Sequence, residues 1–342
     1  MSRVTLQSIA DHLGISKFAV SRALAGKSGV SEDTRRTILT TAEQFGYLAR
    51  KRTSPVSGSI EIIFHDRDIA NSELWINVQQ GAQAEAARSG HPTAVRWTQQ
   101  HGIIAELEPS AVGFVLVGPQ EPSMVEAARD SGLPCVMVGG FTEPLDTMDR
   151  IGAADAEAGA FIGKYLAGLG HRRLLYAHGR PGLPGRLERL RGFHDALSPV
   201  TDAEYREMAF DEAQGDVGFR EAFLDLVKSG FEPTAIFCGN DGVAVTVVSE
   251  LARLGLRVPE DISVVGFADY ACATQIAPKL TTIRMPGQEM GIAAVRRLLA
   301  RAGHRGPPDD LPPQRVMLVQ RLVERDSTAA PNPRPWRSRL RG

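Results

Sequence analysis

The sequence predicts two kinds of structure in one chain: a small all-α head followed by a larger α/β body of two lobes on parallel sheets. Three observations carry this. Apolar residues in the first 45 positions recur at three- and four-residue spacing, the period of a helix face. From Ser59 onward short apolar runs alternate with helical patterns, as in right-handed βαβ units. That alternation passes through two similar cycles, which divides the body into two lobes with a cleft between them. At 342 residues the chain is long enough for both parts.

The head begins with a helix in which Leu6, Ile9, Ala10 and Leu13 share one face, with Thr5 placed to cap it. Gly14 follows the last apolar residue, where a helix end favours a left-handed backbone. Ser16 then caps a second helix whose inner face is Val20, Ala23 and Leu24 and whose outer face is Lys17, Phe18, Ser21 and Arg22. Two helices about a tight turn, the second polar and cationic outside, form the helix-turn-helix pattern. A helix of this width enters a major groove. There Arg22 can pair bidentately with guanine and Lys17 can reach base edges or phosphate.

A third helix starts after Ser31, with Glu32 and Asp33 in its first turn to suit the helix dipole and Ile38, Ala42 and Phe45 facing inward. Arg35 and Arg36 near its surface can reach backbone phosphates. Charge is unevenly spread. Residues 1 to 53 hold nine Lys/Arg against four Asp/Glu, a net of +5, although the whole chain is −1. A basic head on a mildly acidic body fits a nucleic-acid module on a soluble sensor.

From Val4 to Tyr47 the stretch VTLQSIADHLGISKFAVSRALAGKSGVSEDTR and its continuation resemble the DNA-binding headpiece of the LacI/GalR family of bacterial transcription regulators. The resemblance implies that Lys17, Phe18, Ser21 and Arg22 read bases, while Thr5, Ser16, Ser31 and Thr34 position phosphates. Ala19 and Ala25 stand where relatives often carry Thr and Asn, which alters the operators that fit. Residues 49–58 read as a basic linker. Here the chain departs from the family: Leu48-Ala49-Arg50 follows Tyr47 directly, in place of the Pro-Asn and leucine-bearing hinge helix that kinks DNA from the minor groove.

In the body, strands are expected at 60–64, 93–97, 112–117, 134–138, 173–177, 235–238, 262–267 and 281–284, with a strand pair within 315–323. Helices are expected near 73–89, 121–131, 156–168, 186–197, 215–229, 241–254 and 286–301. LGHRRLLYAHG (169–179), AIFCGNDGVAV (235–245), GLRVPEDISVVGFADY (255–270) and PKLTTIRMPGQEMG (278–291) resemble the same family's effector domain, shaped like a periplasmic sugar-binding protein. The fold class is thus a helix-turn-helix head plus an α/β two-lobed periplasmic-binding-protein-like body with parallel sheets. The resemblance further implies that the C-terminal helix returns to the first lobe. The body is expected to span 59–326 and to carry dimerisation. Residues 327–342, rich in proline and arginine, read as a disordered tail.

Ligands of open α/β lobes bind beyond the carboxyl ends of strands. The expected effector-binding residues are Asp66, Trp75, Arg189, Asn240 and Asp269. Asn240 offers amide donors and an acceptor to hydroxyls, and the Arg189 fork suits paired hydroxyls or a carboxylate. Trp75 fits either stacking on a sugar ring or core packing, and Asp241 reads equally as an N-cap. Gly139 and Ala268 stand where family members often place polar or acidic sugar contacts.

No apolar run approaches the roughly 18 residues of a membrane span, and the N-terminus lacks a signal-peptide core, so a cytoplasmic protein, at the nucleoid when bound to DNA, is expected. Cys135, Cys238 and Cys272 show no metal-ligand spacing, and no cofactor or metal is expected. GRPGLPG (179–185) lacks the Lys-Ser/Thr of a phosphate loop, and no nucleophile motif occurs. The reading is a homodimeric repressor, not an enzyme, whose partners are double-stranded operator DNA and a small-molecule effector, a sugar or sugar derivative. A solute-binding protein and a small-molecule enzyme on the same body are the competing readings. A membrane partner is not expected.

Overall fold

A computed structural model of the chain describes residues 6–24, 30–45, 58–65, 72–140, 145–179, 182–210, 216–304 and 306–340. Thr5, Asp66 and residues 49–57 of the expected linker lie outside the described residues. The chain forms two compact units, residues 1–58 with 299–311, and residues 59–298 with 312–342.

The first unit holds α1 (Leu6–Leu13), α2 (Lys17–Leu24) and α3 (Glu32–Gln44). Ile9, Ala10, Val20, Ala23, Ile38 and Ala42 are buried together, with Leu13, Ile15, Leu24, Val30 and Phe45 packed around them. Gly14 has φ +64°, the left-handed conformation a helix end favours.

The second unit contains both lobes. Its helices are α4 (Ser72–Arg88), α5 (Ile103–Leu107), α6 (Pro122–Asp130), α7 (Asp155–Gly168), α8 (Pro184–Leu197), α9 (Asp216–Lys228), α10 (Asp241–Arg253) and, up to Leu298, α11 (Gly287–Ala302). The first-lobe strands are β1 (Ser59–Phe64), β2 (Thr93–Trp97), β3 (Ala111–Val117), β4 (Cys135–Val138) and β5 (Asp149–Ala153). Those of the second lobe are β6 (Arg173–Gly179), β7 (Glu204–Ala209), β8 (Ala235–Cys238) and β9 (Ser263–Val265). The chain then adds β10 (Thr282–Arg284), β11 (Arg315–Leu318) and β12 (Arg321–Val323). The first sheet runs β11-β5-β4-β3-β1-β2 and the second β7-β6-β8-β9, all pairings parallel. β1 and β3 are buried nearly throughout, as continuous apolar runs in a parallel sheet require.

β11 pairs with β5 of the first lobe, while β12, three residues later, runs antiparallel to β10. The expected strand pair in 315–323 is therefore two strands in different sheets. α11 returns to the first lobe and meets α4 through glycines: a Cβ on Gly291 would stand 2.0 Å from the Val78 carbonyl oxygen. β5 (DRIGA) and β7 (EYREMA) were not expected, because neither has a run of β-branched or aromatic residues.

The expectation of a disordered tail is corrected. Residues 327–340 pack on the second lobe. Val264 N–H donates to the Ser327 carbonyl at 2.8 Å and Ala329 N–H to Ser263 Oγ at 3.0 Å. Trp336 is buried in the lobe's core, stacked on Phe223 and donating from Nε1 to the Pro233 carbonyl at 3.1 Å. Composition averaged over the segment hid this single aromatic anchor. Pro331, Pro333 and Pro335 also restrict the free chain, which lowers the entropy lost on docking.

Candidate functional site

Two places carry chemistry. The first is α2. Ser16 caps it, its Oγ accepting from Ala19 N–H at 3.1 Å. With Val20 and Ala23 turned into the core, Lys17, Phe18 and Ser21 are exposed on the other side, Phe18 at 69%. Arg22, half-buried, holds its guanidinium 5.4 Å from the Phe18 ring centroid. Ser31 caps α3, accepting from Thr34 N–H at 3.3 Å, and the two hydroxyls hydrogen-bond at 2.7 Å. The result is a narrow helix presenting cationic, hydroxyl and aromatic groups outward, all suited to base edges and thymine methyls.

The second place is the cleft between the lobes. Its geometry starts with two glycines. α7 and α8 cross so closely that a Cβ on Gly159 would lie 2.0 Å from the Arg189 carbonyl oxygen, and one on Gly192 would lie 1.8 Å from that of Ala156. This approach sets the start of α7 beside the first turns of α8, where Arg189 Nε meets Asp155 Oδ1 at 3.2 Å. Arg189 also donates to the Gly185 and Gly239 carbonyls, and its guanidinium lies 3.8 Å from the Phe267 ring centroid. Burial pushes the Asp155 carboxyl up to about 6, against the opposing pull of Arg189.

A cavity of about 560 Å³ opens here, lined among others by Trp75, Gly139, Arg150, Asp155, Arg189 and Arg315. Trp75 is largely buried, and its indole edge would lie 3.2 Å from a Cβ on Gly139. Glycine at 139, read in the sequence as the loss of a polar contact, suits the left-handed backbone there, φ +70°, and lets the indole pack close against it. Arg150, 5% exposed, donates to the Gly139 carbonyl at 2.5 Å and to Asp146 Oδ2 at 3.3 Å.

Of the expected effector residues, Trp75 and Arg189 come together in this cavity. Asn240 and Asp269 do not line it. Asn240 caps α10 and its Oδ1 accepts from Val243 N–H at 2.9 Å. The cap is thus Asn240 and not Asp241. Asp241 is buried and accepts from Thr282 Oγ1 at 2.6 Å and Tyr270 N–H at 2.7 Å; its carboxyl is pushed up to about 6 by burial. Asp269 is held by Arg284 and Arg325, each at 2.6 Å. Both positions do fall at strand ends, but helix capping and ion pairing occupy their side chains. Arg150, Asp155 and Arg315 were missed. Arg150 lies in the unexpected strand β5, and Asp155, at the start of a helix, carried only the signal of a first-turn acid.

The chain matches two family models: "Bacterial regulatory proteins, lacI family" over residues 5–49, and "Periplasmic binding protein-like domain" over residues 164–328. It is 30% identical to the HTH-type transcriptional regulator MalR of Streptomyces coelicolor over 346 residues, 95% of this chain and 96% of that protein. The chain belongs to the LacI family of bacterial regulatory proteins. Among solved structures it shares its fold with a transcriptional regulator CelR–cellobiose complex (TM-score 0.68, 22% identity, 95% of this chain and 100% of that one). It likewise resembles the lac repressor dimer bound to operator and the anti-inducer ONPF (TM-score 0.66, 21% identity, 96% and 100%). LacI-family regulators bind operator DNA and a small-molecule effector. As a LacI-family member the chain is a repressor-like transcriptional regulator and not an enzyme, which removes both competing readings. Among the described residues no helix is long and apolar enough to cross a membrane.

Proposed function

We propose that this LacI-family chain is a homodimeric repressor that reads a roughly palindromic operator with α2 and binds a sugar or sugar derivative in the interlobe cleft. The observation that carries the first half is the outward face of α2, which presents Lys17, Phe18, Ser21 and Arg22; in this reading these four contact bases. Thr5, Ser16, Ser31 and Thr34 position phosphates. A dimer sets two such helices in successive major grooves. Residues 1–48 act as the DNA-binding domain, 49–58 as the linker, and 59–326 as the effector and dimerisation body, with residues 327–340 as part of its second lobe.

In the cleft, Trp75 packs the apolar face of the ligand and Arg189 directs its fork at ligand oxygens, with Asp155 beside it. Asn240 and Asp269 support the second-lobe wall from behind. Effector binding changes operator affinity only through its different affinity for the two lobe arrangements. The CelR complex holds cellobiose in the same fold, which supports a carbohydrate here.

Selection of binding sites from a randomised duplex pool at stated salt tests the DNA half. A palindromic consensus is expected. A consensus with a preserved central step would mean that the short linker acts at the operator centre. Enrichment of no sequence at any salt would remove the operator-reading role.

A further inference from the structure

We propose that the effector is an anion: a sugar derivative whose carboxylate or phosphate oxygens lie against Arg150 and Arg315 on one wall of the cleft and Arg189 on the other. This rests on the reading of the cleft as the effector site.

β5 and β11 are neighbours in parallel register with Arg150 opposite Arg315, so two guanidinium groups project from adjacent strands, and both line the cavity. Among the described residues the first-lobe wall contributes these two arginines and no carboxylate. The lining carboxylates, Asp155, Glu157 and Glu188, all stand on α7 and α8 of the second lobe. Of these, Asp155 is paired with Arg189, and Glu188 with Arg191 at 2.6 Å. Behind the wall Asp146 bonds Arg150 and also holds Arg129 at 3.0 Å, so one carboxylate is shared between two guanidinium groups.

A nearly buried arginine is costly unless its charge is answered. Burial lowers the Arg150 pKa from its ordinary value against the opposing pull of Asp146, and Arg315 lowers it a little further. A neutral hydroxyl would leave the like charges of Arg150 and Arg315 facing each other; an anionic oxygen relieves them. Arg150 is also fixed in place by Gly139 and Asp146, and a fork already held in position loses little freedom on binding an oxyanion. Across the cleft, Arg189 uses Nε and Nη1 on Asp155 and two carbonyls, which orients the same fork towards the cavity. One anion that engages guanidinium groups of both lobes binds the closed arrangement better than the open one, the differential affinity a switch needs.

The test titrates the full-length protein with glucose, glucuronate, glucose 6-phosphate and inorganic phosphate at one ionic strength set by chloride, reading thermal midpoint and calorimetric affinity. At least one anionic sugar is expected to bind saturably and about tenfold or more tighter than glucose, the worth of one added charge-assisted hydrogen bond. Arg315→Gln, a change at an exposed edge-strand position, should erase that preference, bringing the anionic sugars down to the affinity of glucose. Arg150→Gln should erase it as well, with a lower thermal midpoint of the ligand-free protein because Asp146 and Gly139 lose their partner. Glucuronate and glucose 6-phosphate separate the carboxylate source from the phosphate source, and inorganic phosphate reports the bare anion site.

Glucose binding as tightly as both anionic sugars, no saturable binding of any anionic probe, or an anion preference unchanged in Arg315→Gln would each overturn the proposal. Operator binding is measured beside each titration. A neutral sugar that releases operator where the anions do not would overturn the anion and leave the effector cleft standing. An anion that binds through Arg315 without changing operator affinity would support the anion site and overturn the effector reading.

Discussion

The recognition helix and the effector cleft use side chains in opposite ways. α2 carries its outward residues on two turns of one helix, and a separate set, Val20, Ala23 and Leu24, seats it. The cleft gathers its residues from β5, β11 and the starts of α4, α7 and α8, and most of them hold the fold as well. Arg189 ties Asp155 and two carbonyls, Arg150 ties Asp146 and Gly139, and Trp75 packs against Gly139. Specificity on α2 can therefore change without cost to the scaffold. In the cleft a change of ligand contact is also a change of stability.

Disturbing the helix crossing that builds the cleft should cost the most. Gly192→Ala places a methyl 1.8 Å from a backbone oxygen, which no rotamer relieves. We expect more than about 3 kcal/mol of destabilisation, at or beyond the upper end of overpacking costs. Urea unfolding with an unchanged midpoint would mean that the crossing does not set the site.

Arg189→Ala should follow at about 3 kcal/mol, because it leaves the Asp155 carboxyl in a poorly solvated place without its guanidinium. Effector response should be lost along with stability. A variant of normal stability and absent response would make Arg189 a ligand contact only, and the contrast with α2 would narrow.

Asp155 gives a test in pH. Its folded carboxyl titrates at about 6, above the ordinary 3.8, so the fold binds a proton more readily than the unfolded chain does. Its contribution to stability is thus greatest below about pH 4 and is lost as pH rises towards 6, by of the order of 2 kcal/mol. Asp155→Asn does not titrate, so the variant should gain on the parent between pH 4 and pH 6 and run parallel to it above. Asp241, which titrates in the same range, is present in both proteins and cancels. Parallel stability curves across the whole range would remove Asp155 as the source.

The same contrast governs what could be read in the sequence. α2 was legible because its in–out pattern is local: the spacing of Val20, Ala23 and Leu24 settles where Lys17, Phe18, Ser21 and Arg22 point. The parallel α/β alternation was legible for a similar reason, since β1, β3 and β8 are unbroken apolar runs. The cleft was not. That Arg150 and Arg315 stand side by side depends on β11 crossing back to β5, 165 positions away in register, and DRIGA gave no strand signal. Asn240 and Asp269 were placed at strand ends correctly in one dimension, yet a helix cap and two arginines claim their side chains. The tail misled because Trp336 docks by one ring in a segment whose average composition is polar.

Arg22 is where a small change in stability should accompany a large change in DNA reading. Arg22→Ala removes a half-buried guanidinium that contacts the Phe18 ring and leaves Val20 and Ala23 in the core, so stability should change by less than about 1 kcal/mol. Operator affinity should fall by about 1–3 kcal/mol, and preference at one base pair should relax, the mark of a bidentate base contact. A phosphate contact behaves differently. It would weaken all sequences equally and flatten the salt dependence by about one unit. Binding-site selection with Arg22→Ala at two salt concentrations separates the two. Relaxed specificity with intact stability makes α2 a surface whose chemistry is independent of its scaffold. Uniform weakening would move base reading to Lys17, Phe18 and Ser21.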